Sequence, residues 1–176
     1  MKISILAIAL LTATASAQTC HYRTDGQYKL PDARCTPGQA NPALIADPSG
    51  KPHMMDGHEA NLCAKDFRTG PWRKVDESEK KKACAEYGIT KGCPGPGYEL
   101  DHLISLTDGG SDDILNLWPQ PWKQARTKDV MENWIHRQIC SGAQSLKGGQ
   151  DSLAIDWYRA YLQMKNGVLS AKKSEQ

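Results

Sequence analysis

The central part of the chain carries the clearest pattern of hydrophobic and polar positions. Polar and apolar residues alternate from 98 to 104, which is typical of a strand with one buried face. Residues 107–111 are polar and rich in glycine, and residues 114–118 form a short apolar return segment. The pattern therefore predicts a β-hairpin with an enlarged loop.

A first helix is predicted over 76–87, ahead of that hairpin. The segment begins with acidic residues, continues with lysines and is followed by Gly88, which suits the left-handed position after a helix. Its three consecutive lysines, 80–82, are interpreted as a solvated face.

A second helix is predicted over 123–140, after Pro119 and Pro121, which are expected to break the chain. Gly142 can end this helix. Its apolar residues recur at helical spacing and form one stripe. They are Val130, Met131, Trp134, Ile135 and Ile139.

A third helix is predicted from about residue 151 to 164, with Asp151 or Ser152 near its cap. Its apolar stripe is again at helical spacing. The stripe consists of Leu153, Trp157, Tyr161 and Met164.

The N-terminal part is different in character, because residues 18–72 are rich in proline, glycine, aspartate and asparagine. Such residues favour turns, so this part is expected to be mostly loop. The chain has six cysteines, an even number that predicts three disulfides in an exported protein. A zinc site is the alternative, although no two cysteines have C-x-x-C spacing. The cysteines are Cys20, Cys35, Cys63, Cys84, Cys93 and Cys140.

The first seventeen residues have the features of a secretory signal peptide. Lys2 precedes an apolar run over 3–11, and small residues lead to a cleavage site after Ala17. No later stretch approaches the about 18 apolar residues that a transmembrane helix needs, so no membrane is expected as a partner. The protein is therefore predicted to be secreted or periplasmic.

The predicted organisation has four parts. They are a signal peptide at 1–17, a loop-rich region with one short helix at 18–97, a hairpin-and-helix region at 98–165, and a polar tail at 166–176.

Composition adds two constraints. With one phenylalanine but five tryptophans, burial is expected to depend on the tryptophans. The formal charge of +2 neither supports nor excludes nucleic acid, because a local basic stripe can bind phosphates. The tryptophans are Trp72, Trp118, Trp122, Trp134 and Trp157.

The central block resembles the ββα-metal motif of HNH nucleases. Asp101-His102, a glycine loop, Asn116-Leu117 and a following helix occur in the order found in that family. The resemblance is closer still to exported HNH-like proteins with an upstream Leu-Pro-Asp…Cys-Thr-Pro-Gly segment, which here spans residues 30–38. It implies an α+β fold with a ββα-metal (HNH-like) core over 98–165, C-terminal helices and a disulfide-stabilised, loop-rich N-terminal region.

The resemblance also implies roles for three residues. Asp101 would bind one divalent cation, most simply Mg²⁺ or Mn²⁺, with Zn²⁺ or Ni²⁺ as further candidates. His102 would be the general base that takes a proton from the attacking water. Asn116 would brace the loop and help to orient the base. Taken alone, each of these residues has a plainer interpretation, in a turn or in a surface hydrogen bond.

The chain departs from the family at the third position of the motif, where Ala125 replaces the usual histidine or asparagine. Gln124 or Asp129 could complete the metal site from the same helix. A second interpretation of Asp129 is equally good: an acidic residue in the first turn of a helix interacts favourably with the helix dipole.

The same helix carries basic residues that could contact phosphates flanking the cut, with a solvated face as the alternative. They are Lys123, Arg126 and Lys128, with Arg137 further along.

Together these features favour a secreted, divalent-metal-dependent endonuclease that cuts DNA with little sequence specificity, with RNA as an alternative substrate. The alternative is a secreted binding domain that keeps the HNH scaffold but is catalytically inactive. The sequence identifies no protein partner.

Overall fold

The computed structural model describes residues 19–167, so the predicted signal peptide and most of the polar tail lie outside the described residues. Within that range the fold is α+β, with three small antiparallel sheets of two strands each and three helices. The strands pair in chain order. They are β1 (Arg23–Asp25), β2 (Tyr28–Leu30), β3 (Met54–Met55), β4 (His58–Glu59), β5 (Tyr98–His102) and β6 (Leu117–Pro121).

The helices differ in length and capping. α1 begins after Asp76, whose carboxylate accepts hydrogen bonds from the amides of Ser78 and Glu79, and Gly88 follows it with a φ of +73°. The first predicted helix and its glycine cap are therefore confirmed. The helices are α1 (Glu77–Glu86), α2 (Trp122–Cys140) and α3 (Leu146–Lys165), and short 3-10 turns lie at Gly70–Trp72, Leu106–Asp108 and Ile114–Asn116.

The predicted hairpin is formed by β5 and β6. His102 lies opposite Leu117 and Asp101 opposite Trp118, and the enlarged loop between the strands contains two of the 3-10 turns. The prediction that prolines break the chain before α2 is wrong, because Pro119 and Pro121 belong to β6. Both strands of a two-stranded sheet are edge strands, where proline is tolerated. The hairpin is followed directly by α2, so the chain has a β-β-α order here.

The main core lies where α2 packs against α3. Met131, Ile135 and Ile139 are buried, as are Leu153 and Trp157 on the facing helix. The stripe predicted on α2 is therefore correct at three positions. Val130 is 52% exposed and points away from the core, and Trp134 is half-buried.

α3 begins earlier than its predicted start at residue 151. Ser145 is the actual N-cap, and its hydroxyl accepts a hydrogen bond from the amide of Gly148. A Cβ at Gly149 would lie 2.8 Å from Ile135, so the absent side chain lets the two helices approach closely. Packing therefore outweighs the poor helix propensity of two consecutive glycines. Asp156 has extended backbone angles and kinks the helix.

The tryptophans divide between the interior and the surface. Trp118 and Trp157 are fully buried and Trp72 is nearly so, whereas Trp122 is 50% exposed. The expectation that burial depends on all five is therefore wrong for Trp122. Trp72 belongs to a second, smaller core with Leu44, Ala60, Leu62 and Phe67.

Three disulfides join all six cysteines, as predicted. Cys63–Cys140 connects the loop-rich region to the end of α2, across 77 residues. Cys84–Cys93 joins α1 to the turn before β5. Cys20–Cys35 closes a loop of the N-terminal region. Cys63–Cys140 thus holds the loop-rich region against α2, and the other two bonds stabilise segments that have little extended secondary structure.

The segment 30–38 connects the N-terminal region to the hairpin. The hydroxyl of Thr36 donates to the carbonyl oxygen of Leu117 at 3.0 Å and contacts the hydroxyl of Tyr87 at 2.9 Å. The carboxylate of Asp32 accepts hydrogen bonds from the amide of His21 and from the amide and guanidinium of Arg34. These hydrogen bonds lower the pKa of Asp32 well below its usual range, with the guanidinium as the largest cause.

Asp32→Asn is expected to lower the melting temperature at pH 7 by about 5 °C, through the loss of hydrogen bonds to a charged group. Because the pKa is depressed in the folded state, this stabilisation is present above the unfolded value of about 3.9 and is lost as pH falls through the folded value. The difference from the original protein should therefore shrink below about pH 4. Thermal unfolding between pH 3 and 8 measures it, with Asp66→Asn on the exposed surface as the control. An equal difference at every pH would contradict the ionic role.

Gly110→Ala is expected to lower the free energy of unfolding by about 1–3 kcal/mol, as overpacking does. A Cβ at this position would lie 1.9 Å from the carbonyl oxygen of Ile104, so the backbone of the hairpin loop must move. Urea unfolding measures the change. Gly97→Ala is the matched control, since nothing lies within 4 Å of its Cβ, and it should change stability little. Equal effects of the two substitutions would contradict the close approach.

Candidate active site around His102

His102 ends β5 and pairs with an acidic side chain from the hairpin loop. Its Nε2 lies 2.7 Å from Oδ1 of Asp112, and both side chains are about nine-tenths buried. The sequence reasoning identified His102 but missed Asp112. The two are ten residues apart in a loop whose path the sequence did not predict.

Asp112 is held from its other side by backbone amides. Oδ2 accepts hydrogen bonds from the amide of Lys74 and, at 2.7 Å, from that of Val75. Burial alone would raise the pKa of Asp112, but the hydrogen bonds from His102 and these amides lower it to about 2. The carboxylate is therefore ionised at neutral pH and acts only as an acceptor.

The pair lies at a cavity of about 240 Å³ between the hairpin and the segment that leads into α1. Arg73 and Lys80 contribute positive charge to its lining. Arg73 is exposed, and Lys80 forms an exposed ion pair with Glu77. Lys80 belongs to the run interpreted as a solvated face, and Arg73 carried no signal in the sequence. The remaining lining residues are Val75, Pro94, Leu100, His102, Asp112 and Leu117.

Asn116 braces the hairpin loop. The side chain is fully buried, and its Oδ1 accepts a hydrogen bond from the amide of Ile104 at 2.9 Å. Nδ2 donates to the carbonyl oxygens of Ile104 and Ser111, at 2.9 and 2.8 Å. Asn116 thus joins the end of β5 to the residue before Asp112, and it holds the histidine and its partner in register.

Asp101 faces away from His102, because successive residues of a strand point to opposite sides. Its Oδ2 lies 2.7 Å from the ammonium of Lys128 on α2. The same ammonium donates to the carbonyl oxygen of His102 at 2.8 Å and to the carboxylate of Glu132. Burial would lower the pKa of Lys128, but the charges of Asp101 and Glu132 outweigh it and raise that pKa.

Other acidic groups crowd this side of the hairpin. Burial and the charge of Asp101 raise the pKa of Glu99 to about 7. Burial raises the pKa of Glu132 as well, and the charge of Asp101 adds to this, although the ammonium of Lys128 opposes it. The pKa of Asp129 is raised by partial desolvation and by the charge of Asp101.

Two of the candidate metal ligands, Asp101 and Gln124, are engaged by other groups. Gln124 lies in the interior, where its amide oxygen accepts from the backbone N–H of Lys29 and its amide nitrogen donates to the carbonyl oxygen of the same residue. Asp129 is exposed, although close enough to Asp101 for their charges to interact. In residues 19–167 no group of three His, Cys, Asp or Glu side chains is arranged to hold a metal ion. Because Lys128 engages Asp101 and the backbone of Lys29 engages Gln124, these residues do not fit a divalent cation at Asp101 in this structure.

The candidate phosphate-binding residues differ in their exposure to solvent. Lys128 has a side-chain exposure of 1% and is fully engaged inside the protein, so it has no free surface for a phosphate. Lys123 and Arg126 are exposed on α2. Lys123 lines a different cavity, beside β2, and not the one at His102. The buried position of Lys128 had no signal in the sequence, where a lysine on a helix is typical of a solvated face.

No protein-family model matches this chain, and neither does any curated protein or solved structure. Among the residues described, no helix has the length and apolar character needed to span a membrane.

Asn116→Ala is expected to lower the free energy of unfolding by about 3 kcal/mol, since it leaves a buried amide and two carbonyl groups without their partner. Urea unfolding measures this loss. Asn133→Ala on the exposed face of α2 removes a single hydrogen bond to the carbonyl oxygen of Asp129 and should cost less than about 1 kcal/mol. Similar values for the two variants would contradict the bracing role of Asn116.

Proposed function

We propose that this protein is an exported endonuclease that hydrolyses phosphodiester bonds of DNA with little sequence specificity, with RNA as a second candidate substrate. The observation that carries the proposal is the pairing of His102 with an ionised Asp112 at a cavity that also carries Arg73 and Lys80. A buried, oriented histidine beside cationic side chains is the arrangement that general-base hydrolysis of a phosphate ester needs.

His102 acts as the general base. Because the ionised Asp112 only accepts hydrogen bonds, Nε2 carries the ring proton and Nδ1 keeps a lone pair. Nδ1 takes a proton from water as the water oxygen bonds to phosphorus. The bond from phosphorus to the leaving sugar oxygen breaks, and that oxygen takes a proton from solvent. Asp112 stabilises the imidazolium that forms, as an orienting carboxylate does.

Arg73 and Lys80 supply the positive charge for the phosphate. Their side chains line the cavity at His102, whereas Lys123 lies at another cavity. Contacts to phosphate position a nucleic acid without reading its sequence, which agrees with little sequence specificity.

The resemblance to HNH nucleases implies a divalent cation at Asp101. This cation is a separate proposal from the general-base role of His102. Asp101 and Gln124 already have other partners in this structure, so no step of the reaction is assigned to a cation. In the proposed reaction, the side chains at the cavity orient the base and bind the phosphate.

A second candidate function is a secreted binding domain without turnover. Its support is the engagement of Asp101 by Lys128 and of Gln124 by the backbone of Lys29. In that case the pair of His102 and Asp112 would serve to attach the hairpin to residues 74–75.

Export is supported by the three disulfides, which persist in oxidising compartments. The predicted signal peptide belongs to the same proposal.

Nicking of supercoiled plasmid by the oxidised protein beginning at Gln18 tests the activity. His102→Ala should reduce the rate by about 10²–10⁴-fold, since it removes the base. Asp112→Asn should reduce the rate less while leaving DNA binding in place. The double variant Arg73→Ala, Lys80→Ala should raise the KM for DNA.

The matched control is Lys123→Ala with Arg126→Ala, which removes the same charge from α2 and should leave nicking unchanged. Circular dichroism establishes that each variant is folded. Equal nicking by the original protein and His102→Ala, or no nicking by folded protein in Mg²⁺ or Mn²⁺, would remove the catalytic proposal in favour of the binding domain.

A further inference from the structure

The ammonium of Lys128 lies in a cradle made entirely of oxygen atoms. Its side chain is 1% exposed, and its three contacts are Oδ2 of Asp101 at 2.7 Å, the carbonyl oxygen of His102 at 2.8 Å and a carboxylate oxygen of Glu132. An ammonium has three N–H donors, so these partners use all of them.

The same oxygen atoms are of the kind that a hard divalent cation selects. Mg²⁺, Mn²⁺ and Ca²⁺ prefer carboxylate and carbonyl oxygens. The cradle brings together two carboxylates and one carbonyl group from β5 and α2. Asp101 is 21% exposed and Glu132 15% exposed, so water and ions can reach the outer edge of the cradle.

The positive charge in the cradle belongs to the chain itself. Lys128 lies four residues before Glu132 on α2, so its amine reaches the shared oxygen atoms from the same helix face. Isolating two carboxylates from water is costly unless a cation compensates them. Lys128 provides that compensation in every molecule, whatever the ion content of the medium.

We propose that Lys128 is the built-in cation of this site, which takes the position of a divalent ion between Asp101, Glu132 and the backbone of His102. The protein therefore needs no divalent ion to hold the end of β5 against α2. If the proposed hydrolysis occurs, it proceeds in the presence of a chelator. This last consequence rests on the proposed function, whereas the occupancy of the cradle does not.

The proposal predicts that removal of the amine turns the cradle into a metal site. Lys128→Ala leaves the three oxygen atoms facing an open space, where a divalent cation can bind. Lys128→Met keeps the length of the side chain but not the charge, so its thioether fills the same space and excludes a cation. The two variants differ in cation binding, although both lose the ion pairs.

The test is thermal unfolding of the original protein and both variants, measured in EDTA and in millimolar Mg²⁺, Mn²⁺ or Ca²⁺. The original protein should melt at the same temperature in all four media. Lys128→Ala should melt lower in EDTA and recover about 5–10 °C in at least one cation. Lys128→Met should melt lower in every medium. Mn²⁺ binding, measured by electron paramagnetic resonance, should be stoichiometric for Lys128→Ala alone.

Other outcomes would overturn the proposal. One is stoichiometric Mn²⁺ binding by the original protein that Asp101→Asn abolishes, because Asp101 would then hold a metal despite Lys128. Another is a Lys128→Ala variant that none of the three cations stabilises, or that stays unfolded in the presence of each cation. Nicking that EDTA abolishes would also contradict it. Absence of nicking by every protein would remove the proposed function, while the melting temperatures would still decide this inference.

Discussion

The buried ammonium of Lys128 is the interaction on which the arrangement of the central region depends. It joins the end of β5, through Asp101 and the carbonyl group of His102, to α2, which carries the main core. Loss of one partner from such a group leaves an uncompensated charge in the interior, which costs about 3–5 kcal/mol. Because Lys128 contacts the backbone of His102 itself, the position of the candidate base is tied to the packing of α2.

The opposite face of the hairpin depends on the loop-rich region. Residues 74–75 donate their amides to Asp112, which orients His102, and Thr36 donates to the first residue of β6. Neither segment has regular secondary structure, so the disulfides and the second core must supply its rigidity. The region that looks least ordered in the sequence therefore forms one wall of the candidate active site and fixes the proton-accepting geometry.

The two faces of β5 have separate chemical roles in this structure. One face presents His102 to a cavity with positive charge, and the other presents Asp101 to a buried lysine. Adjacent residues of a strand necessarily diverge in this way. A nuclease that follows the proposal would use the first face for proton transfer and the second for support. A binding domain would use both faces for support, and its ligand would lie elsewhere.

Local patterns in the sequence determined the hairpin, the three helices and the disulfide state, whereas the roles of Asp101, His102 and Asn116 came from the family resemblance and stay predictions. Periodicity and cap residues act over a few positions, and this is why they were readable. The start of α3 was not readable, because Gly149 is helical only through its close contact with Ile135. Tertiary structure alone decided that Asp112 contacts His102, that Arg73 lines the same cavity, that Gln124 bonds to the backbone of Lys29, and that Lys128 is buried. These contacts depend on which distant segments of the chain pack together in the interior. A charged group buried there needs a partner, because the interior has a low dielectric constant. The pattern of residues along the sequence does not show which segment supplies that partner.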